Sequence, residues 1–390
     1  MNVRDRWALE PDMTFLNHGS FGATPKTVLA AQTRWRERLE GQPCRFVARE
    51  QKGLLRAAIA PLAAFLGVAD EELVFVDNAT AGMNAVLRSL AFAPCDEVVV
   101  TDHLYPAVSN TLDHVLAGTG AVLRTVELGL PVASAAAIEA AVMAAVGPRT
   151  RLVVLDHVAS PSAVVVPVAA IAAACRTQGV AVLVDGAHGP GRVDLDVAAL
   201  GVDAYVGNVH KWLCAPKGTG FLWAHPRWHD RLHPPVISHA YGQGFTAEFD
   251  MVGTRDVSAW LAVPEALAFH AELGGAELRA RNRRVALAGA HRLAERLGTE
   301  LGAPDDRFAA MATVRLPWSG PVDRATAEAL KARLWGEHRI EAQIYAFAGH
   351  LWLRLSIHAY NDEADVERLA DALARLMLRS GGDGGDRGGT

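Results

Sequence analysis

A lysine in a polar segment follows an acidic turn in this chain. Lys211, one of five lysines among 390 residues, lies in the segment Asn208–Trp212, about one strand beyond the turn Asp185–His188. Pyridoxal phosphate chemistry requires these residue types, a lysine to form the Schiff base and an aspartate to keep the pyridine nitrogen protonated. The other basic residues are almost all arginines, which stay protonated and cannot form a Schiff base. For Lys211 alone, a surface lysine after a strand is the alternative interpretation.

Polar side chains also follow two apolar runs that are typical of buried strands. These polar segments are Asp156–Pro161 and Asp185–Gly191, and the carboxyl edge of an open α/β sheet is where ligands bind. Asp185 is expected to pair with the pyridinium N–H, while Ser160 and His188 could contact the phenolic oxygen of the cofactor. A capping Asp and a structural His are the alternative. The spacings match no standard metal site, so no metal is expected.

A possible anion site precedes these segments. The segment Asn78–Asn84 follows a strand and opens a predicted helix, which places the Thr80 hydroxyl and free backbone N–H groups where an anion binds well. An ordinary N-cap is the alternative for Thr80. Tyr105 lies just after the next predicted strand, where its face could stack on a planar cofactor. A half-buried loop aromatic is the alternative for Tyr105.

Two later features could bind anionic groups. Thr254, in the segment Gly253–Asp256, could offer a hydroxyl and a backbone N–H to a phosphate. Arg354 interrupts the apolar run Leu351–Ser356, where an unpaired guanidinium would be costly. It either forms an internal salt bridge or binds a substrate carboxylate.

The composition sets outer limits on function. With 51% hydrophobic and 21% charged residues, the chain can bury a substantial core and is long enough for two domains. The formal net charge of -5 arises from mixed acidic and basic residues without a long basic block. Nucleic acid is therefore not an expected partner.

The cysteines and the N-terminal residues argue against two further classes. The four cysteines are widely separated and form no CxxC pair, which argues against structural zinc and a disulfide scaffold. Residues 1–16 carry five charged side chains, so neither a signal peptide nor a membrane span is expected there. The expected location is the cytoplasm. The cysteines are Cys44, Cys95, Cys175 and Cys214.

Short runs rich in Val and Leu alternate with helical patterns from residue 73 to about 224, as a covered, mostly parallel sheet requires. The predicted strands are Leu73–Val76, Glu97–Thr101, Val122–Val126, Leu152–Leu155, Ala181–Val184, Ala204–Val206 and Gly220–Trp223. Helices predicted between them by apolar spacing include Ala81–Leu90, Ala135–Ala145 and Val168–Arg176. The sequence therefore predicts an α/β fold with a mostly parallel seven-stranded sheet in a large domain.

The pattern changes beyond Arg255. Predicted amphipathic helices come first, then strands that alternate with helices, which indicates a smaller α+β domain. We predict an N-terminal segment at residues 1–25, a large domain at 26–255, a small domain at 256–379 and a disordered Gly/Asp-rich tail at 380–390. The predicted elements are the helices Val257–Leu273, Ala276–Leu297, Ala325–Trp335 and Glu363–Leu378, and the strands Ala312–Leu316, Ile340–Tyr345 and Leu351–Ser356.

These residues, in this order, resemble the class V aminotransferase family of fold type I pyridoxal phosphate enzymes. The resemblance extends from about Phe15 to Asn361. Within the family, three segments resemble the isopenicillin N epimerase-like branch most. They are Phe15–Gly22, Gln42–Phe46 and His210–Gly218.

The resemblance implies roles for individual residues. Lys211 matches the Schiff-base lysine, Asp185 the pyridinium partner, and Tyr105 a ring-stacking position often held by His. Ser160 stands where desulfurases carry Asn, and His188 where they carry Gln, while Asn208 stands where they commonly carry Ser. The residues that match the phosphate cradle are Thr80, Ala81, Asn208 and His210.

The resemblance also implies a homodimer with shared active sites. Thr254 matches a threonine that reaches the phosphate of the neighbouring subunit, and Arg354 matches the residue that binds the substrate carboxylate. Asn17 and His18 match positions of the N-terminal segment that contact a small amino-acid substrate near the active site.

The reactions implied by the family share their first steps. An L-amino acid replaces Lys211 on the cofactor to give an external aldimine, and Lys211 then takes the α-proton. A proton returned from the opposite face by Tyr105, His18 or water gives epimerisation. Loss of a β-sulfur group gives C–S lysis, and protonation at the cofactor carbon gives transamination.

Among these outcomes, the branch resemblance favours an epimerase or racemase. The alternatives are a C–S lyase acting on a cysteine-derived thioether or sulfoxide, an aminotransferase, and a catalytically silent relative that binds pyridoxal phosphate without turnover. A cysteine desulfurase requires a nucleophilic Cys in the C-terminal part, and no Cys follows Cys214. Desulfuration through a persulfide is therefore not expected.

Overall fold

The computed structural model describes residues 3–380, with side chains described for residues 3–377. The tail predicted to be disordered lies outside the described residues apart from Ser380. The chain begins with a 3-10 helix at Val3–Arg6 and a short strand, β1 (Thr14–Phe15). The helices that follow are α1 (His18–Phe21), α2 (Lys26–Gly41), α3 (Pro43–Arg45), a π-helix at Phe46–Glu50 and α4 (Gln51–Leu66).

A seven-stranded sheet forms the centre of the fold, with a 3-10 helix at Asp70–Glu72 before its first strand. Its strands are β2 (Leu73–Val76), β3 (Glu97–Thr101), β4 (Val122–Val126), β5 (Thr150–Asp156), β6 (Ala181–Gly186), β7 (Ala204–Asn208) and β8 (Gly220–Ala224). The spatial order is β2-β8-β7-β6-β5-β3-β4, and only β8 runs antiparallel to its neighbours. The predicted α/β fold with a mostly parallel seven-stranded sheet is therefore confirmed.

Helices connect these strands and cover both faces of the sheet. They are α5 (Ala79–Arg88), α6 (Pro106–Leu116), α7 (Ala135–Ala145), α8 (Val168–Thr177) and α9 (Val197–Leu200). Because successive side chains of a strand point to opposite faces, Leu152 and Val154 enter one hydrophobic core while Val153 and Leu155 enter the other. This burial on both faces explains why the central strands are continuous apolar runs.

The remaining chain contains helices and a three-stranded antiparallel sheet of order β11-β12-β9. The helices are α10 (Phe245–Asp250), α11 (Ser258–Leu261), α12 (Val263–Glu272), α13 (Ala276–Leu297), α14 (Arg324–His338) and α15 (Glu363–Ser380), with 3-10 helices at Pro226–Arg231 and Asp305–Arg307. The strands are β9 (Met311–Arg315), β10 (Ile340–Glu341), β11 (Gln343–Phe347) and β12 (His350–Ser356).

Two predicted elements are divided in the structure. The helix predicted at Val257–Leu273 is the pair α11 and α12, because Pro264 lacks an N–H and is tolerated only in the first turn of a helix. The strand predicted at Ile340–Tyr345 is the pair β10 and β11, since β10 pairs with β1 and β11 pairs with β12. The domain boundaries near residues 25 and 255 stay predictions. Across residues 3–380, each helix is too short or too polar to cross a membrane.

Candidate active site

A cavity of about 230 Å³ lies where the parallel strands of the large sheet end. Eight of the ten predicted cofactor-binding residues line it, because parallel strands bring their carboxyl ends to one edge. The eight are Thr80, Tyr105, Ser160, Asp185, His188, Asn208, His210 and Lys211. The other two, Ala81 and Thr254, are not among its lining residues, and Thr254 is exposed on this chain.

The N-terminus of α5 lies against the end of β7. A Cβ atom on Gly82 would come within 2.5 Å of Val206 Cγ1, so the absence of a side chain permits this close approach. Asn208 Oδ1 then accepts a hydrogen bond from the Ala79 amide at 2.8 Å. This bond fixes the first turn of α5 beside the end of β7.

The N-cap of α5 occupies one of the amides that were predicted to bind phosphate. Asn78 Oδ1 accepts a hydrogen bond from the Ala81 amide at 3.0 Å, as N-cap residues do. Thr80 lies in the same turn and lines the cavity. Because first-turn amides lack acceptors within the helix and favour anions, this turn is a favourable place for an anion. The phosphate contact of Thr80 stays a prediction.

The segment that includes Gly22 lies directly against the lysine loop. Gly22 has a φ of 68°, and a Cβ atom on it would come within 2.2 Å of the His210 carbonyl oxygen. Only glycine fits this position. The close approach brings Ser20 and Phe21 to the cavity, which they line.

Lys211 is almost completely buried in the loop after β7, with 9% of its surface exposed. Burial lowers the pKa of its ammonium group from about 10.5 to about 7, and the neighbouring cations Arg354 and Arg192 act in the same direction. The Asp185 carboxylate opposes this shift without cancelling it. A neutral amine near neutral pH is what a nucleophile or a general base requires.

His188 lies between Lys211 and a buried indole. Its Nε2 atom is 3.2 Å from Lys211 Nζ, and its Nδ1 atom accepts a hydrogen bond from Trp212 Nε1 at 3.3 Å. Burial, with a contribution from the Lys211 charge, holds the pKa of His188 well below its ordinary value. The ring is therefore neutral at neutral pH.

His210, beside Lys211, is fixed by the backbone. Its Nδ1 atom lies 2.9 Å from the Thr219 carbonyl oxygen, which can only accept, so Nδ1 carries the hydrogen. Burial lowers the pKa of His210 to about 4. The ring is thus neutral and held in one orientation at the edge of the cavity.

Tyr105 borders both this cavity and a larger one of about 960 Å³. Its ring is 40% exposed, and partial burial raises the pKa of its hydroxyl. Ser160 and Lys211 also line both cavities, so the two are continuous at the lysine. The larger cavity extends to α14 and β11, where its lining includes Arg324, Lys331, Trp335, Gln343 and Tyr345.

Arg354 is fully buried in β12 and is not among the lining residues of either cavity. Its Nη1 atom donates to Ser160 O at 2.7 Å, Ser160 Oγ at 3.1 Å and Tyr345 Oη at 3.2 Å. Its Nη2 atom donates to Asn17 Oδ1 at 3.2 Å and Ser20 Oγ at 3.1 Å. A substrate carboxylate that reached Arg354 would have to replace some of these acceptors. The carboxylate role of Arg354 stays a prediction.

The two predicted substrate contacts of the N-terminal segment lie in different surroundings. Asn17 lines the larger cavity, whereas His18 is fully buried and is not among the lining residues. His18 Nε2 lies 2.9 Å from the Lys211 carbonyl oxygen, and its Nδ1 atom lies 2.6 Å from Tyr360 Oη. Burial lowers the pKa of His18 to about 3. The structure therefore places this ring against the Lys211 backbone instead of the cavity.

The described residues include one group of three that could hold a metal ion, His18, Cys214 and His358, whose ligand atoms lie within 4.8 Å of one another. The sequence spacing does not indicate this group. His18 Nε2 donates to the Lys211 carbonyl, so it has no free lone pair. Burial raises the pKa of Cys214 to about 12, so the thiol is protonated when no metal is bound. It lies 3.5 Å from His358 Nε2. These side chains therefore form a hydrogen-bonded cluster below the lysine loop.

Sequence reasoning missed several residues that line the cavities. Asp156 lines the smaller cavity. It could have been predicted from the sequence, because it is the last residue of β5 just as Asp185 is the penultimate residue of β6. Burial raises the pKa of both carboxyl groups, and the Asp185 charge raises that of Asp156 further. Tyr345 contacts Ser160 and Arg354, and no local pattern marks it.

Comparisons with known proteins identify the family of this chain. The family profile described as Aminotransferase class-V matches residues 15–369. Isopenicillin N epimerase of Streptomyces clavuligerus is 36% identical over 96% of this chain and 97% of that protein. Putative L-cysteine desulfhydrase 1 of Oryza sativa subsp. japonica is 35% identical over 94% of this chain and 84% of that protein.

A solved structure extends the comparison to the fold. A C-DES variant with glycine covalently linked to its PLP cofactor matches with a TM-score of 0.80 and 25% identity, over 96% of this chain and 99% of that chain. The matched region includes every residue predicted to contact cofactor or substrate. This chain belongs to the class-V aminotransferase family.

Proposed function

We propose that this protein is a pyridoxal 5'-phosphate-dependent enzyme that acts on an L-amino acid or an amino-acid derivative, with epimerisation as the outcome. The observation that carries the proposal is the buried Lys211 amine, with a pKa lowered to about 7, in one cavity with Asp185. Membership of the class-V family supports it, as do relatives named isopenicillin N epimerase. The covalent PLP cofactor of C-DES supports the choice of cofactor.

The residues of the smaller cavity fit this cofactor. An anion is favoured at the N-terminus of α5. The Asp185 carboxylate and the Lys211 amine line the same cavity, which supports their proposed roles at the ring nitrogen and the aldehyde. Asp156 Oδ2 is buried and has no hydrogen-bond partner among the described residues, so a ligand could satisfy it. The residues that would hold the cofactor are Thr80, Asn208 and His210 at the phosphate, Asp185 at the ring nitrogen, Tyr105 at the ring face, Ser160 and His188 at the phenolic oxygen, and Lys211 at the aldehyde carbon.

When bound, pyridoxal phosphate supplies an aldehyde that links to an amine and a ring that accepts electrons from a bond broken at the α-carbon. Lys211 Nζ, as a neutral amine, takes the α-proton of the substrate. Asp185 carries the negative charge that holds a proton on the ring nitrogen. Tyr105 keeps its phenolic proton because its pKa is raised, and it is our candidate for returning a proton from the other side.

The larger cavity supports a substrate larger than cysteine. Its volume of about 960 Å³ lies at the upper end of the range for ligand pockets, roughly 300–1,000 Å³. C–S lysis is the second candidate, because a relative carries the name L-cysteine desulfhydrase. An aminotransferase and a catalytically silent relative are the remaining alternatives.

Product analysis in deuterated water tests the reaction. The purified protein with cofactor would be incubated with long-chain L-amino acids, N-acylated derivatives with a free α-amino group, and cysteine-derived thioethers and sulfoxides. An α-deuterated D-isomer supports epimerisation. A 2-oxo acid with ammonia and a released sulfur species supports C–S lysis, and the absence of any product or spectral change supports a silent relative.

We further propose a homodimer in which Thr254 reaches the phosphate site of the partner subunit. The exposure of Thr254, and its absence from the lining of this chain's own cavity, support this arrangement. Sedimentation equilibrium would measure the mass, and a monomer that retains full activity would contradict the proposal. A cytoplasmic location stays a prediction from the sequence.

A further inference from the structure

The indole of Trp212 determines where His188 carries its hydrogen. An indole N–H can only donate a hydrogen bond, and Trp212 Nε1 lies 3.3 Å from His188 Nδ1. Nδ1 must therefore present a lone pair to the indole. A neutral imidazole with a bare Nδ1 carries its hydrogen on Nε2. His188 is 3% exposed, so water has little access to change this arrangement.

This position of the hydrogens on His188 favours the neutral amine form of the neighbouring Lys211. The Nε2–H of His188 is 3.2 Å from Lys211 Nζ. An ammonium group has three donors and no lone pair, so it would meet Nε2–H donor to donor. A neutral amine has a lone pair and can accept this hydrogen bond.

We propose that Trp212 is a positioning residue that acts through His188 to hold the Lys211 amine in its neutral, nucleophilic form. This inference rests on the proposed function, in which that amine binds the cofactor and takes a proton from the substrate. Trp212 directly follows Lys211 in sequence and is 1% exposed, so its burial alone would suggest a residue of the hydrophobic core. Its hydrogen bond to His188 gives it a role at the lysine site.

The charges around Lys211 show why such a contact matters. The Asp185 carboxylate at the end of β6 favours the ammonium form, and its neighbour Asp156 at the end of β5 adds little because it holds a proton. Arg354 on β12 and Arg192 after β6 oppose the ammonium form. Arg192 is 3% exposed, and its guanidinium carbon lies 5.2 Å from the centre of the Trp212 ring. Its positive charge beside the indole strengthens the indole N–H as a donor. The Nε2–H of His188 then opposes, at the amine itself, the attraction of the Asp185 carboxylate.

The rate of covalent cofactor attachment to the cofactor-free protein tests this role. Attachment requires the neutral amine, so the rate followed by visible absorbance should reach half its maximum near pH 7 in the wild type. In Trp212→Phe, His188 Nδ1 is free to take the hydrogen and Nε2 can accept from an ammonium. The half-maximum should move up by about one pH unit, which makes attachment at pH 7 about fivefold slower with an unchanged high-pH plateau.

Trp223→Phe is the matched control. Trp223 is 4% exposed and also donates its indole N–H, but to Glu72 Oε2 at 2.9 Å. Its pH profile should equal that of the wild type. A Trp212→Phe profile that also equals the wild type would overturn the proposed role of Trp212.

A second measurement reads the hydrogen position directly and needs neither cofactor nor a Trp212 variant. In ¹⁵N-histidine spectra of the wild-type protein, with the His188 signals assigned by their loss in His188→Gln, we expect a protonated Nε2 and a bare Nδ1. A ring protonated at Nδ1, or at both nitrogens, would overturn the inference. A wild type that never attaches the cofactor at any pH would refute the proposed function instead, and this spectrum would still decide the role of Trp212.

Discussion

Asp156 and Asp185 are Cα partners across the parallel strands β5 and β6, so two buried carboxyl groups lie side by side at the edge of the sheet. Asp185 Oδ1 accepts a hydrogen bond from the Ala187 amide at 2.9 Å, whereas Asp156 Oδ2 has no partner in the part of the chain that the structure describes. Two adjacent buried carboxyl groups rarely ionise together. The pKa of Asp156 is raised well above its ordinary value, so Asp156 holds the proton and Asp185 carries the charge.

Substitution of each carboxyl group by an amide should separate their roles. Asp185→Asn removes the negative charge expected at the ring nitrogen and should lower kcat by roughly 10²–10³-fold, as for the loss of one preorganised electrostatic group. Asp156→Asn replaces a protonated acid by a group of similar shape and should change kcat little. Cofactor content measured by absorbance controls for binding. A larger loss in Asp156→Asn than in Asp185→Asn would contradict the assignment.

Asn208 should stabilise the phosphate end of the site. Asn208→Ala leaves the Ala79 amide without its acceptor, which should cost about 1–3 kcal/mol in the free energy of unfolding and weaken cofactor binding. The hydroxyl of Asn208→Ser can also accept a hydrogen bond, so this variant should recover part of the lost stability and part of the lost cofactor affinity. Urea unfolding and cofactor titration measure the two effects. Equal behaviour of the Ala and Ser variants would show that the acceptor is unimportant.

Substitution of Arg354 distinguishes a role in substrate binding from a purely structural role. If it binds the substrate carboxylate, Arg354→Ala should weaken amino-acid binding by roughly 2–5 kcal/mol, as for a lost buried charge pair. Ser20→Ala removes one of the oxygens that a carboxylate would replace and should leave the affinity unchanged or improved. Spectral titration with an amino acid measures Kd. Unchanged affinity in a folded Arg354→Ala protein would give Arg354 a purely structural role.

In the cofactor-free protein, Lys211 should lower the free energy of unfolding by an amount that depends on pH. Its pKa is about 7 when folded and about 10.5 when unfolded, so between these values the unfolded chain binds more protons and stability rises with pH. Lys211→Met lacks this effect. The free energy of unfolding of Lys211→Met should exceed that of the wild type by the largest amount below pH 7. Above pH 7 this difference should shrink by at most about 1.4 kcal/mol per pH unit. Urea unfolding at several pH values from 6 to 9 measures this, and a constant difference would contradict the lowered pKa.

Most strands of the large sheet could be predicted because they are buried on both faces, whereas the edge strand β4 is exposed or half-buried and is marked only by its β-branched residues. β2, β3 and β4 have the predicted bounds, whereas β5 begins two residues earlier, at Thr150. Thr150 pairs with Glu97 of β3, and Arg151 lies at a register shift before the next paired residue, Leu152. An apolar pattern does not reveal either feature. The same limit explains β10 and β11, whose separation at Ala342 depends on which strands they pair with.

The sequence predicted the gathering of eight site residues at the edge of the sheet, but it could not predict the directions of the side chains. Lys211 and Asp185 follow or end apolar strands, so their place at the sheet edge follows from topology. The direction of His18 depends on Tyr360, which is 342 residues away in sequence, and that of His188 depends on the indole of Trp212. Such contacts form only when the loops have folded, so no local sequence pattern predicts them.

Identification of the lysine that holds the cofactor tests the central claim most directly. The protein would be incubated with pyridoxal 5'-phosphate, reduced with borohydride, digested, and analysed by mass spectrometry. We predict a pyridoxyl group on the peptide that contains Lys211 and none on Lys26, Lys52, Lys217 or Lys331, with no label in Lys211→Ala. A protein without label, or a label on another lysine that persists in Lys211→Ala, would contradict the claim.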